Sequence, residues 1–593
     1  MKKIFLFVSF IMAAFLVVAC TEDPKLPNIT GILENGTIVV EQGSQTVSLD
    51  GITATDAEGN AITLRLVGNY DLTTIGTYDA VLSATDSLGN KVSLNIKIQV
   101  TEKQLTELEK ARLLYEGTIY NVDKNSNGTP DWQEEEITLS FGFSYYVMES
   151  APNPVWLNIA KFMEEYPNIT VVKDPAFESG WGSDDDLLLL QEAALLEGKL
   201  PDIFFNPKGA ESYDKGMTLD LMPYIKTDEE AEYITPNALS GMRTFDNKEI
   251  WGIPWQGVGP MVALNMTLLD NLGIDAPGYD WTYAEYEALR AEIGAVTDTG
   301  ESVFPGVIDF SIFGPNYFDS VPNGYKGYNL ETQRFDLAGA TRYGQWLEQN
   351  ATEAKRGWHW FDLSAEDKEI KAPGVTDEWA DGVRAINTIM LYSFNDDVRK
   401  MINKGWEIDI YPYPTAPAGG QTATYTYHDY LSVNRTLSTN TVKAEAAFQL
   451  LKWLTYGEEG LENRWDLLYD EDPTLFVDGT YYLMNYIQGW PITSNPAVLA
   501  MHPLVKGFPV DSPLNIFNFE AFKNANFQYQ MSNANPYLRQ IPAFASVANP
   551  FDPWTLKDNM RDNSVSYSNI IPDIEAQLNQ QIVEYLQYYN SKK

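Results

Sequence analysis

Cysteine occurs once in 593 residues, histidine three times, and basic residues are outnumbered two to one by acidic ones. A single thiol excludes internal disulfides and cysteine metal sites. The three histidines, His359, His428 and His502, have no partner at metal-ligand spacing. No Gly-x-Ser-x-Gly elbow, phosphate loop or organic-cofactor motif is present. Against 41 Lys and Arg stand 82 Asp and Glu, a net charge of −41, which disfavours nucleic acid and anionic headgroups as partners. The acids are spread along the chain, the pattern of a solvated surface and not of an acidic tail. Aromatic residues make up 13% of the chain, too many for a disordered one. Fifteen Trp and 34 Tyr exceed what core packing obviously requires.

The one cysteine, Cys20, ends a run from Ile4 to Ala19 broken only by Ser9 and preceded by Lys2-Lys3. A basic start, a short apolar stretch and a small residue before the cut describe a secretory signal. The run is shorter than the about 20 residues of a comfortable membrane span. Its Ala19-Cys20 end resembles a bacterial lipobox. That resemblance implies cleavage after Ala19, lipidation (palmitate included) of Cys20 and a place on the extracellular face of the bacterial plasma membrane. An ordinary signal followed by an incidental cysteine is the alternative.

Residues 20–26 read as a polar tether. Across 27–101 the pattern is all β: Val92, Leu94, Ile96, Ile98 and Val100 alternate with polar residues, the period of a half-buried strand. Ala54-Thr55-Asp56-Ala57-Glu58-Gly59-Asn60 is echoed by Ala84-Thr85-Asp86-Ser87-Leu88-Gly89-Asn90, and both Gly-Asn pairs suit tight turns. The segment resembles the Ig-like β-sandwich modules of bacterial surface proteins. It would serve as a spacer or, alternatively, bind carbohydrate or cell wall. Residues 102–136 form a helical linker ending in a loop with Asp123, Asn125, Asn127, Asp131 and Glu134 at positions 1, 3, 5, 9 and 12 and Gly128 at 6. With the Thr129 carbonyl, this matches the oxygen donor pattern of a calcium loop. The reading is one structural calcium stiffening the joint; a polar linker with a type I turn is the alternative.

From Ile137 strands and helices alternate: a strand from Ile137, a helix over Val155–Glu165, a strand at Ile169, a helix over Asp184–Leu196 and a strand after Pro201. This order predicts an α/β fold with a mainly parallel sheet. The pieces Phe162-Met163-Glu164-Glu165-Tyr166-Pro167-Asn168-Ile169, Gly198-Lys199-Leu200-Pro201-Asp202-Ile203-Phe204 and Trp251-Gly252-Ile253-Pro254-Trp255 occur in order. With Trp281 to Tyr286 and the helix Ala444 to Leu454, they resemble the family 1 extracellular solute-binding proteins of bacterial ABC importers, sugar-binding type, over 137–593. The resemblance implies a two-lobed periplasmic-binding-protein-like fold (type II), no enzymatic activity, a monomer and delivery of solute to permease subunits. It places lobe 1 at 137–255 and 388–440 and lobe 2 at 256–387 and 441–593, with hinges near Trp251–Gly259 and Ile386–Phe394. The stretches 465–486 and 503–540 match no piece of the family.

Ligands of open α/β sheets lie beyond the carboxyl ends of strands. The loops there offer Tyr145, Trp181, Lys208, Trp255, Gln256, Phe394, Asn395, His428 and Asp429. Flat rings suit sugar faces, and amides and carboxylates suit hydroxyls, so an oligosaccharide is the expected solute. A polyamine held by aromatics and Asp396, Asp397 or Asp429, or a peptide, is the alternative within the same architecture. A secreted glycosidase working through paired carboxylates and an adhesin are the rival classes.

Overall fold

The computed structural model describes residues 26–31, 34–143, 154–174, 183–244, 248–258, 260–299, 313–319, 324–325, 327–329, 332–390, 400–401, 403–420, 422, 424–425, 427–467, 476–477, 480–481, 491–506, 531–532 and 552–592. The chain divides into two compact units, Met1–Glu107 and Leu108–Lys593.

The first unit is built from β1 (Asn28–Thr30), β2 (Thr37–Glu41), β3 (Thr53–Thr55), β4 (Ala61–Ile62), β5 (Leu64–Gly68), β6 (Gly76–Thr85) and β7 (Lys91–Thr101). One sheet has the order β1-β3-β4 and the other β2-β7-β6-β5. The alternation read in β7 is realised in its second half: Ile96, Ile98 and Val100 are buried with Leu82, Ala80, Ile38 and Val40, whereas Leu94 is 44% exposed and Val92 only half-buried. The echoed heptapeptides become matching turns. Asp56 accepts from the Asn60 amide N–H and side-chain amide at 2.8 and 3.0 Å. Asp86 accepts from those of Asn90 at 2.8 and 2.9 Å. Gly59 and Gly89 take φ of +89° and +88°, a region glycine enters without the Cβ penalty.

The second unit begins with a helix (Glu107–Tyr115 in full) and holds two separate cores. In the first core, β8 (Ile137–Gly142), β9 (Ile169–Lys173), β10 (Ile203–Phe205), β11 (Ile253–Val258) and a later strand, Tyr427–Val433, form one sheet. Its order is β11, Tyr427–Val433, β10, β8, β9. The late strand runs antiparallel to both neighbours, whereas β8 is parallel to β9 and to β10. This lobe is the predicted mainly parallel sheet with one strand returned from elsewhere. The helix expected over Asp184–Leu196 spans those residues, with Ser183 capping the Asp186 N–H.

The second core surrounds β12 (Pro260–Asn265), flanked by β13 (Ile386–Met390) and β14 (Ile408–Tyr411), both antiparallel to it. The returning strand Tyr427–Val433 is therefore β15. The lobes divide differently from the sequence expectation in two places. Residues 388–390 and 408–411 belong to lobe 2, because β13 and β14 complete the β12 sheet, and the return to lobe 1 comes between Tyr413 and Tyr427. The helix Thr441–Thr455 belongs to lobe 1, not lobe 2. Phe448 lies 5.1 Å from Tyr224, and Trp453 lies 5.6 Å from Phe162 and donates to Asn158 at 2.9 Å. The last helices, Pro553–Asn563 and Tyr567–Lys592, come back to lobe 2, burying Leu556, Met560, Ile571, Leu578 and Ile582 there. Among the described residues no helix is long and apolar enough to cross a membrane.

Those last helices are fastened by buried charge. Arg290, 1% exposed, pairs with Glu353 and with Glu287. Glu353 and Asp362 each lie 3.2 Å from one ring nitrogen of His359. Asp362 in turn accepts from the fully buried Lys557 at 2.6 and 2.7 Å and from Arg561. Burial alone would raise the Asp362 carboxyl, but hydrogen bonds from His359 and Lys557 outweigh it and bring it to about 2. The stabilisation it gives is present above the ordinary carboxylate range and is lost as pH falls towards about 2. Removing one partner of a buried pair leaves the other charge uncompensated, so Asp362→Ala should cost about 3–5 kcal/mol in urea unfolding at neutral pH. A loss below about 1 kcal/mol would show that Asp558, 3.5 Å from Lys557, replaces it.

Candidate functional site

Four of the lobe 1 strands present one edge to the lobe junction. The carboxyl ends of β8, β10 and β11 lie there beside the start of antiparallel β15. The chain leaves for lobe 2 after Val258 and re-enters at Tyr427, and these two residues pair directly. Both crossings thus run side by side. On the lobe 2 side Pro260 pairs with Met390, the last residue of β13.

The edge brings several sequence candidates together. Gln256 pairs with Asp429, and Gly257 with His428, in the β11–β15 ladder. Only the backbone of Gln256, His428 and Asp429 is among the described parts of those residues. Tyr145, Trp181, Phe394 and Asn395 lie outside the described residues, as does Cys20. The register slips between Pro254 and Gln256, so Trp255 is the extra residue of a β-bulge. Bulges re-aim a side chain and concentrate beside sites. Here Trp255 turns inward to 2% exposure, 5.4 Å from Phe143, which is itself 5.3 Å from Phe205. The Arg464 guanidinium covers the ring 4.5 Å from its centroid. Three strand ends therefore contribute one aromatic floor that is buried beneath the edge, with Phe143, Phe205 and Trp255 all part of the lobe 1 core.

Lys208 follows β10 and pairs with Asp185 at 3.0 Å and, more loosely, Glu211 at 3.8 Å. Burial would lower its pKa, but Asp185 outweighs this and raises it, so the ammonium stays charged. Asn206, also after β10, is fully buried and committed to structure: it donates to Ser432 at 2.9 Å and accepts from Ser212 at 2.8 Å. The next helix starts at Gly209, where a Cβ would stand 1.8 Å from the Trp251 ring. Sequence reasoning missed Phe143, Phe205 and Arg464. The two phenylalanines were visible as the last apolar residues of their strands; Arg464 had no signal, since its helix precedes a stretch that matches no family piece.

The calcium-type loop of 123–134 is closed on itself. Asp123 accepts from the Gly128 and Asn127 N–H groups at 2.8 and 3.2 Å. Asn125 and Asn127 donate side-chain amides to Glu134 at 3.1 and 2.8 Å. Asp131, expected among the ligands, is buried at 3% exposure and accepts instead from the Lys124 N–H at 3.3 Å. Among the described residues no three His, Cys, Asp or Glu side chains gather as a metal site. The remaining donor set is Asp123, Glu134, the asparagine oxygens and the Thr129 carbonyl.

No family model and no curated protein matches the chain in sequence. Solved structures do match its fold. The sugar-binding protein MalE from the phytopathogen Xanthomonas citri superposes with a TM-score of 0.52 at 13% identity, covering 76% of this chain and 99% of that one. A family 1 extracellular solute-binding protein from Alicyclobacillus acidocaldarius gives 0.49 at 13% identity, covering 77% and 99%. An ABC substrate-binding protein from Listeria monocytogenes in complex with cycloalternan gives 0.48 at 16%, covering 76% and 99%. The fold is that of a two-lobed solute-binding protein. In this solute-binding fold the aromatic floor, Lys208 and the Gln256–Asp429 ladder sit on the lobe 1 edge where the chain crosses to lobe 2.

The loop of 123–134 is tied to lobe 1 through Glu445, 2% exposed, which accepts from the Asn121 and Val122 N–H groups at 2.9 and 3.4 Å. Burial pushes its carboxyl up to about 7, only partly offset by those amides. A raised acid contributes stability that is complete below its unfolded pKa and is lost as pH rises through about 7. Glu445→Gln keeps the acceptor for the closer Asn121 N–H, gives up the longer bond from Val122 and removes the titration. At about pH 8 it should be more stable than the parent by an order of 2–4 kcal/mol, with no gain at about pH 4. Parallel urea melts that show no such pH-dependent difference would contradict the burial of this charge.

Proposed function

We propose that the chain is a lipid-anchored extracellular receptor that takes an oligosaccharide between its lobes and passes it to the permease of an ABC importer. The observation that carries this reading is the junction edge. There Lys208 and the Gln256–Asp429 ladder meet at the paired crossings above a buried aromatic floor, so closure of the lobes would wrap a ligand lying on the edge. The neighbours described as sugar-binding support the ligand class. Binding rather than turnover fits a Lys208 already neutralised by Asp185. A thermal-shift screen of the full chain should show stabilisation by an oligosaccharide, about 2.7 kcal/mol at a hundred times its Kd. Asp429→Ala and Lys208→Ala should each diminish the shift. Stabilisation by spermidine and by no sugar would assign the site to a cationic solute, and release of shorter sugars would make the protein a glycosidase.

On this reading Cys20 carries the lipid, and the first unit is an Ig-like spacer holding the receptor off the membrane. A diacylglycerol supplies two chains, enough for stable anchoring. Cys20→Ala should therefore move the protein from the membrane fraction to the medium or leave its precursor uncut; a processed, membrane-bound mutant would refute the anchor.

The loop of 123–134 is proposed to take one calcium ion, which would replace the Asn125 and Asn127 amides as partner of Glu134. Calorimetric titration of the full chain should show uptake with a Kd on the order of 10⁻⁴ M, abolished by Glu134→Ala. No heat of binding would return the loop to a plain turn.

A further inference from the structure

A second cavity lies on lobe 2. It has a volume of about 450 Å³, within the range of small-molecule sites, and is lined by Phe361, Asp377, Glu378, Arg384, Asn387 and Thr388 among others. Asn387 pairs with Ala263, three residues into β12 from the crossing residue Pro260. At about 3.4 Å per residue this sets it about 10 Å along the strand from the junction edge.

Its walls are prepared for a ligand. The turn of 376–381 is fixed by Asp381, which accepts from the Thr376 and Asp377 N–H groups at 3.0 and 3.2 Å. Hydrogen bonds from Lys404 first, and then from those amides, bring the Asp381 carboxyl to about 2, so this support stays ionised. Glu378 receives the Arg384 guanidinium at 3.1 Å, and that guanidinium lies 5.1 Å from the centroid of Phe361. Asp377 accepts from the Ala380 N–H at 3.0 Å through one oxygen, while Lys400 stands 3.7 Å from the other. On the strand side, Thr388 has a buried hydroxyl with no hydrogen-bond partner among the described residues. Asn387 beside it is 6% exposed. Buried polar groups without partners are costly, and most in native structures are satisfied by protein, water or ligand.

Charge selects the class of ligand. Each of the two carboxylates has a cation of its own, Glu378 the Arg384 of the lining and Asp377 the Lys400 outside it, so the cavity has both carboxylates charge-matched on a chain of net charge −41. It offers carboxylate acceptors with oxygens to spare, an amide that both donates and accepts, and a hydroxyl. That set complements hydroxyl groups and gives no net pull on an ammonium or a carboxylate.

We propose that this lobe 2 cavity is a second binding site, separate from the junction edge, for a neutral polyhydroxylated molecule about the size of one sugar ring. The proposal does not require the junction to bind sugar. The full chain is titrated with D-glucose, D-galactose and D-xylose, and separately with putrescine, by saturation-transfer NMR at millimolar concentrations. At least one monosaccharide should bind. Asp377→Asn and Asn387→Ala should each weaken it about tenfold, the loss of a hydrogen bond, whereas Asp429→Ala at the junction should leave it unchanged. Because Asn387 is buried, the melting of that variant is measured alongside; if Asn387→Ala unfolds, Asp377→Asn at its partly exposed position decides the test. Binding abolished by Asp429→Ala alone would place the sugar at the junction and overturn the second site. Putrescine binding without any monosaccharide, or no binding by any probe, would overturn it too.

Discussion

Lobe 1 cannot complete its sheet until the chain has been through lobe 2 and returned. β15 lies between β10 and β11, so the strand that joins the sheet's two halves is separated from its neighbours by all of β12 to β14. Its centre is fixed tightly. The Ser432 hydroxyl donates to the Trp251 carbonyl at 2.8 Å and accepts from Asn206, while any side chain at Gly252 would stand 2.7 Å from that hydroxyl. Such pairing is costly in loop-closure entropy and comes late in folding. It also forces the two crossings to be neighbours, because the outgoing β11 and incoming β15 hydrogen-bond up to Val258 and Tyr427. The junction edge follows from this: a pair of crossings side by side leaves one open end of the sheet facing the other lobe.

Lobe 2 solves a different problem. Its three-stranded sheet is small, and much of its core comes from helices far apart in sequence, including the last forty residues. Apolar packing by Leu556, Ile571 and Leu578 draws those helices in, but hydrophobic contact is not directional. The charge series Arg290–Glu353–His359–Asp362–Lys557 supplies direction, since each member is satisfied only in one arrangement. A chain with twice as many acids as bases has few cations to place. Two of them, Arg290 and Lys557, are spent at 1% and 0% side-chain exposure inside this lobe. Buried ion pairs add little net stability against an apolar substitute, so the stronger argument for them here is specificity of docking.

What was legible in the sequence was local. The Asp184–Leu196 helix has its Ser183 cap and three acids in the first turn, and the β7 alternation points Ile96, Ile98 and Val100 inward; both signals are contained in a dozen residues. The lobe boundaries were not local. Ile386–Met390 reads equally well as a strand of either lobe, because five residues of mixed apolar and polar character carry no record of whether β12 or β10 is their partner. The helix Thr441–Thr455 likewise shows an apolar face but not what faces it; Tyr224 and Phe162, some 200 residues and more upstream, decide that. At the site, strand ends could be found from the pattern, whereas the inward turn of Trp255 could not. It depends on a register slip against β15, and a slip is a property of two strands together.

That slip has a consequence for how the junction can work. A bulge twists its strand, and the one at Trp255 lies three residues before the crossing at 258–260. Trp255 is then clamped between Phe143 below and Arg464 over its face, so the rigid end of the hinge strand is the lobe 1 end. On the proposed closure β11 and β15 would stay paired as far as Val258 and Tyr427, so any rotation of lobe 2 would be taken up outside that ladder. The buried floor under the edge would then move with lobe 1 as one body. Phe143, Phe205 and Trp255 are buried, so on the proposed closure they would brace the edge and not touch the ligand, and selectivity for the closed state would come from the side chains that the two lobes bring to the edge.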